Sequence, residues 1–270
     1  MWKIRGKTFL QQCWKKYLFP VVLVVIQCVM LEQSSASLGQ ITGQTYELHT
    51  ADYIVEFFVG MRPYIPGGSS WFNIPGIWSL YYVYFFILIG RTFRSLSAKY
   101  EQQMILRCVT RSAWWREQNF ELVLETAGYH IASVLIFLAY GLCRGAKMTG
   151  INELLWQEYK GIGLSGFTAL KVIGSTVVIS FFIMLALAYL QYVISLRGNA
   201  VIGVILNTAI LTASVYYQHP LLPGNYTMLL RQKQITGSGV ELWQGVLLSA
   251  GMILILTWTA KRLMKKKDLF

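Results

Sequence analysis

The chain has 270 residues, of which 55% are hydrophobic and 13% charged, and its mean hydropathy is +0.47. One soluble core cannot hide that much apolar surface, so the surplus must face lipid. A net charge of +12 would suggest a nucleic-acid partner in a soluble protein; in a membrane protein it asks which side of the bilayer the Lys and Arg flank, and no nucleic acid is expected.

From the N-terminus, apolar residues recur at Trp2, Phe9, Leu10, Cys13, Trp14 and Tyr17, with Lys3, Lys7, Gln11 and Lys15 between them. This spacing predicts an amphipathic helix lying in the cytoplasmic interface over residues 1–16. Apolar runs follow at Tyr17–Leu31, Ile74–Ile89, Leu122–Cys143, Val172–Leu196, Val201–Tyr217 and Leu242–Ala260. Each approaches the roughly 20 residues that cross a bilayer as a helix. The first, although preceded by basic residues, is expected to stay as a span, because Ser34–Ser37 makes an imperfect signal-peptide cleavage site. The predicted fold class is all-α: a polytopic membrane protein built as a six-helix transmembrane bundle over residues 17–270, with an N-terminal interfacial amphipathic helix.

Six spans put Lys3–Lys16, Arg91–Arg116, Arg197 and Lys261–Lys267 on one side, which gathers seventeen of the 24 Lys and Arg there. Both termini are therefore expected in the cytoplasm, with the protein multi-pass in the cell membrane. On the other side, Ala51–Met61 is expected to form an interfacial helix with Asp52 and Glu56 on its polar face, ended by the turn residues Arg62–Gly68. The loops 144–171 and 218–241 are too short for independent domains. Cys13, Cys28, Cys108 and Cys143 lack CxxC spacing, and four free thiols are expected.

Few residues carry recognisable chemistry. Gly6-Lys7-Thr8 mimics the tail of a phosphate-binding P-loop, but Met1 stands where the first glycine is needed, so no nucleotide site is expected in this chain. Gly163-Leu164-Ser165-Gly166 is similar to the serine motif of rhomboid proteases, yet the sixth run offers no histidine base and His219 lies in a loop. Glu121, Glu125 and His130 open the third run; the two carboxylates are expected at the cytoplasmic boundary near Arg111 and Arg116 rather than in a proton relay, and His130 alone has no evident metal partners. Asn225-Tyr226-Thr227 is a formal glycosylation sequon. The small or polar residues Gly174, Ser175, Ser180, Ala186, Gly203, Asn207, Thr208 and Ser214 predict close helix packing.

The segment from Tyr100 to Trp115, with its Gln103-Met104-Ile105-Leu106-Arg107 run followed by Arg111-Ser112-Ala113-Trp114-Trp115, resembles the cytoplasmic connection of type-2 ABC exporter permeases, especially small six-span Firmicutes-type members. His219–Arg231 is similar to the last outer loop of that group. The resemblance implies a permease subunit of an ATP-driven exporter that moves an amphipathic or hydrophobic substrate such as a peptide, a lipid-like molecule or a drug. It further implies ABC ATPase subunits as partners, with ATP and Mg bound there and no cofactor or catalytic site in this chain, and a second permease copy or paralogue beside it in a surround of membrane lipids. Within the coupling segment 91–121 it points to Lys99, Glu101, Gln103, Met104, Leu106, Arg107 and Arg111 as the ATPase-coupling residues. The alternatives are a rhomboid-like intramembrane serine hydrolase and a non-transporting scaffold or sensor.

Overall fold

The computed structural model describes residues 2–64, 74–94, 111–164 and 167–266. These are helical, with two isolated bridges and no strand among the described residues. In chain order they form α1 (Trp2–Thr42), α2 (Thr50–Phe58), α3 (Gly76–Arg94), α4 (Arg111–Cys143), α5 (Glu153–Lys160) and α6 (Ala169–Ile173). A π-helical turn at Gly174–Val178 joins α6 to α7 (Ile179–Arg197), and then come α8 (Ala200–Tyr216), α9 (Lys233–Thr236) and α10 (Leu242–Lys266). Four segments are long and apolar enough to cross a membrane: Lys16–Thr42, Ser112–Cys143, Ala169–Arg197 and Leu242–Met264. The protein is thus a helical membrane protein by length and composition.

The chain divides into two compact units, Met1–Val59 with Tyr129–Ile173, and Gly60–Gly128 with Gly174–Phe270. In the first, α1 is one continuous helix of 41 residues that runs through Pro20, so the expected interfacial segment 1–16 and the first span share a single backbone helix. Leu23, Val24, Cys28 and Leu31 are buried while Leu18, Val22, Ile26 and Met30 are exposed. That split gives α1 one protein-facing and one lipid-facing side. Gly43, at φ 72°, ends the helix in a conformation that other residues enter at a cost. α1 lies parallel to the second half of α4: Tyr17 packs on Tyr129 with ring centroids 6.3 Å apart, and fifteen residues later Glu32 meets Arg144 at 2.8 Å.

The expected interfacial helix at Ala51–Met61 is corrected by α2, whose nine residues are all buried. Its acids sit inside because the loop after α4 supplies their partners. That loop folds into α5, capped at its start by the Asn152 side chain, which accepts from the Leu155 N–H at 3.0 Å, and closed by Gly161 at φ 64°.

In the second unit, α7 is the central helix. Asn207 on α8 donates to the Leu187 carbonyl at 3.0 Å and to Gln191 Oε1 at 3.2 Å, and Gln191 Nε2 donates to the Ala200 carbonyl at 2.7 Å. These contacts make α8 antiparallel to α7. α3 runs parallel to α7, since Tyr82 faces Ser180 and Gly90 faces Gln191. Ser180, Ala186, Asn207 and Ser214 are all fully buried, whereas Gly174, Ser175 and Thr208 are half-buried and Gly174 has open space around it.

The loop 218–241 is packed against this bundle. Arg231 is fully buried; its guanidinium donates to the carbonyls of Met61 at 2.9 Å, Val215 at 2.6 Å and Arg62 at 3.3 Å. Burial lowers it to about 10, still high enough for the group to be charged at neutral pH. Asn225 is fully buried and donates to the carbonyls of Tyr217 and His219 at 2.9 and 3.1 Å, so the formal sequon is closed to a glycosyltransferase.

The α7–α8 contact depends on Gly203, where an added Cβ would lie 2.8 Å from the Gln191 side chain. Gly203→Leu should destabilise the purified protein by about 1–3 kcal/mol through overpacking, read as a fall in thermal-unfolding midpoint. Gly251→Ala, at a helical position with open space around it, should leave that midpoint unchanged or raise it slightly.

Candidate functional site

Two constellations gather charge and aromatic groups, one in each unit. In the first, four acids on α1, α2 and the loop between them face donors from 144–160. Glu32 accepts both Nε and Nη2 of Arg144 at 2.8 Å and the Tyr53 hydroxyl at 3.0 Å. A forked guanidinium–carboxylate pair of this kind fixes orientation as well as charge. Glu47 pairs with Lys147, and the Tyr46 hydroxyl donates to Glu158.

Asp52 is 0% exposed. Trp156 Nε1 donates to its Oδ1 at 2.7 Å, the His49 N–H to its Oδ2 at 2.8 Å, and the Asn152 N–H to Oδ1 at 3.1 Å. One carboxylate thereby caps α2 and holds the start of α5. Burial raises its carboxyl above the usual range despite the bonds from Trp156, His49 and Asn152. Glu56, one turn on, is also buried but has poorer support: Gln27 Nε2 donates to Oε1 at 3.2 Å, and Lys160 Nζ stands 3.9 Å from the same oxygen. An open groove of about 380 Å³ runs along α1 beside Tyr159, between Met30, Ser34 and Ile41.

In the second unit, three helix ends meet. Trp114 at the start of α4 and Met264 near the end of α10 are each 4% exposed and pack with Trp115 and Leu196. The cations sit around this knot: Lys261 Nζ lies 5.6 Å from the Trp115 ring and the Arg262 guanidinium 3.7 Å from the Trp258 ring, while Arg116 and Arg197 are exposed nearby in sequence.

The coupling residues expected from the sequence, Lys99, Glu101, Gln103, Met104, Leu106 and Arg107, lie outside the described residues, as does Ser165. Arg111 is the first residue of α4. Glu125 accepts the Thr92 hydroxyl at 2.8 Å, and His130 is buried with its ring 6.2 Å from that of Phe58. Cys28 and Cys143 are free thiols, and no group of metal-ligating residues occurs among the described residues. What sequence reasoning missed is the pairing of α2 with 144–160, because alternation in a nine-residue segment does not reveal which face meets protein. No family model, curated protein or solved structure matches the chain.

Trp156→Phe keeps an aromatic ring near Asp52 but removes one N–H from a buried carboxyl and part of a fully buried indole. The loss should be about 1.5–3 kcal/mol, seen as a lower unfolding midpoint and faster hydrogen exchange in residues 50–58. An unchanged midpoint would mean that Asp52 does not hold α5.

Proposed function

We propose that the chain is the membrane permease subunit of an ATP-driven exporter, with six spans and both ends in the cytoplasm. The observation that carries this reading is the meeting of Trp114, Leu196 and Met264. It supports a topology in which the start of α4, the end of α7 and the end of α10 share one side of the membrane, with Arg116, Arg197, Lys261 and Arg262 at or beside those ends. By the charge rule that side is cytoplasmic.

Parity then supports the remaining spans. The end of α7 and the end of α10 share a side, and α10 itself crosses, so α8 must cross back between them. Its 17 residues cover about 25 Å, short of the roughly 30 Å hydrocarbon layer, a deficit that local thinning of the bilayer accommodates. α3, parallel to α7 between the levels of Ser180 and Gln191, is the second span, and α1, parallel to α4, is the first.

On this topology the segment 95–110 leaves the cytoplasmic end of α3 and returns at α4, whose first turn is anchored by the buried Trp114. A segment rooted in a packed knot can pass a push from an ATPase to α4, α7 and α10 together. That is the mechanical need of a coupling element, and it gives Lys99, Glu101, Gln103, Met104, Leu106, Arg107 and Arg111 their proposed role. A substrate path would form against a second copy or a paralogue, and ATP and Mg would bind in the partner ATPase.

Two measurements check this reading. In a background without native cysteines, Gln40→Cys and Leu221→Cys should react with an impermeant maleimide added outside, and Arg116→Cys and Lys261→Cys should not; external labelling at 116 would overturn the topology. Met104→Asp and Leu106→Asp should abolish ATP-dependent export or release the ATPase, with the permease still inserted. Full transport and normal ATPase pull-down in both variants would defeat the coupling assignment.

A further inference from the structure

We propose that Glu56 is a proton-binding site that sets how tightly α5 holds to α1 and α2. The inference rests on the packing of the first unit alone and stands apart from the transport reading. Asp52 and Glu56 lie one turn apart on the same helix and are both buried, yet their surroundings differ. Asp52 receives three N–H groups. Glu56 receives two neutral donors at most, the Gln27 amide on Oε1 and the Tyr159 hydroxyl, and its Oε2 has no close hydrogen-bond partner.

A buried ionised carboxylate needs several donors or a cation in contact. The available cation is held back: Lys160 Nζ sits 4.1 Å from the Tyr159 ring centroid and 3.9 Å from Glu56 Oε1, beyond hydrogen-bond reach. The neutral acid is far less costly to bury there than the carboxylate.

The other charged and titratable groups around α2 are committed elsewhere. From α1, Glu32 is occupied by Arg144 and Tyr53. From α5, Tyr159 faces Glu56 and also donates to Ser34 at 3.3 Å. α4 presents aromatic rings, with Phe137 against Phe57 at 5.2 Å, Tyr140 against Tyr53 at 5.4 Å and His130 against Phe58. Lys171 of α6 is exposed and lies over Phe167.

Burial pushes Glu56 up from 4.5 to about 7, with Lys160 opposing. A carboxyl raised on folding binds a proton that the unfolded chain has already lost, so its stabilisation is complete below 4.5 and is lost as pH rises through about 7. Above that point Glu56 is ionised. Lys160 must then leave its ring or water must enter, and either change loosens α5 from Gln27 and α2.

The test uses the full chain in lipid nanodiscs. Hydrogen exchange of residues 153–160, corrected for the intrinsic effect of pH, should be about tenfold more protected at about pH 6 than at about pH 8. Glu56→Gln should keep the acid-side protection at both. Infrared difference spectra should contain a protonated-carboxyl band that titrates near 7 in the unmodified protein and is missing in Glu56→Gln. Lys160→Met should move its midpoint upward by about one pH unit. A wild-type band titrating below about pH 5.5, or an identical exchange profile in Glu56→Gln, would overturn the proposal.

Discussion

A polar group taken out of water must find its partner inside the protein, and in a chain this apolar that constraint decides how the parts between the spans fold. It acts on α2 first. Nine residues with two acids could have floated at an interface; they are buried instead, because Trp156, Asn152 and His49 bring N–H groups to Asp52. The same constraint explains Arg231. With no acid among its hydrogen-bond partners, its guanidinium is surrounded by carbonyls of the segment after Val59 and of the end of α8, which ties two stretches about 170 residues apart in the chain.

Loops that satisfy buried groups lose their freedom. In 218–241, Gly224 approaches Ser214 and Gly245 approaches Tyr226 so closely that a Cβ at either would lie under 3 Å from a neighbouring side chain. The turns Pro223–Thr227 and Leu229–Arg231 are buried throughout. In 144–161, an asparagine cap and a glycine stop define both ends of α5. For an exporter of the kind proposed, motion would then fall to whole helices sliding or tilting rather than to opening of these connections.

The long periodic segments were legible in the sequence, because membrane spans carry their signal in composition. Each of the six apolar runs lies within or closely overlaps a helix, four of them in segments long enough to span, and Ser180, Ala186, Gly203, Asn207 and Ser214 among the small residues are buried. What was hidden depends on contacts between distant segments. Asp52 and Trp156 are 104 residues apart, and nothing local in either tells that they meet. The Trp114-Trp115 pair could be read as a lipid-interface anchor; only its packing on Met264 and Leu196 makes it a protein-facing knot. The continuity of α1 through Pro20 was likewise masked by a change from amphipathic to apolar pattern that leaves backbone geometry untouched. As for the candidate coupling residues before Arg111, they lie outside the described residues.

The competing hydrolase reading turns on whether a histidine is available to activate Ser165. The chain has three. His49 stands 3.4 Å from Asp52, beneath Gly150, whose Cβ would lie 3.3 Å from its Nε2. His130 is buried against Phe58, and His219 accepts the Leu221 N–H at 3.2 Å within its own turn. A general base must have its acceptor nitrogen free toward the nucleophile. His219 spends its Nδ1 on the backbone and His130 is buried, while His49, 17% exposed, holds its Nδ1 toward Asp52. Polar side chains here chiefly fasten helices and loops to one another, and Glu56 is set apart as a buried carboxyl whose second oxygen has no hydrogen bond.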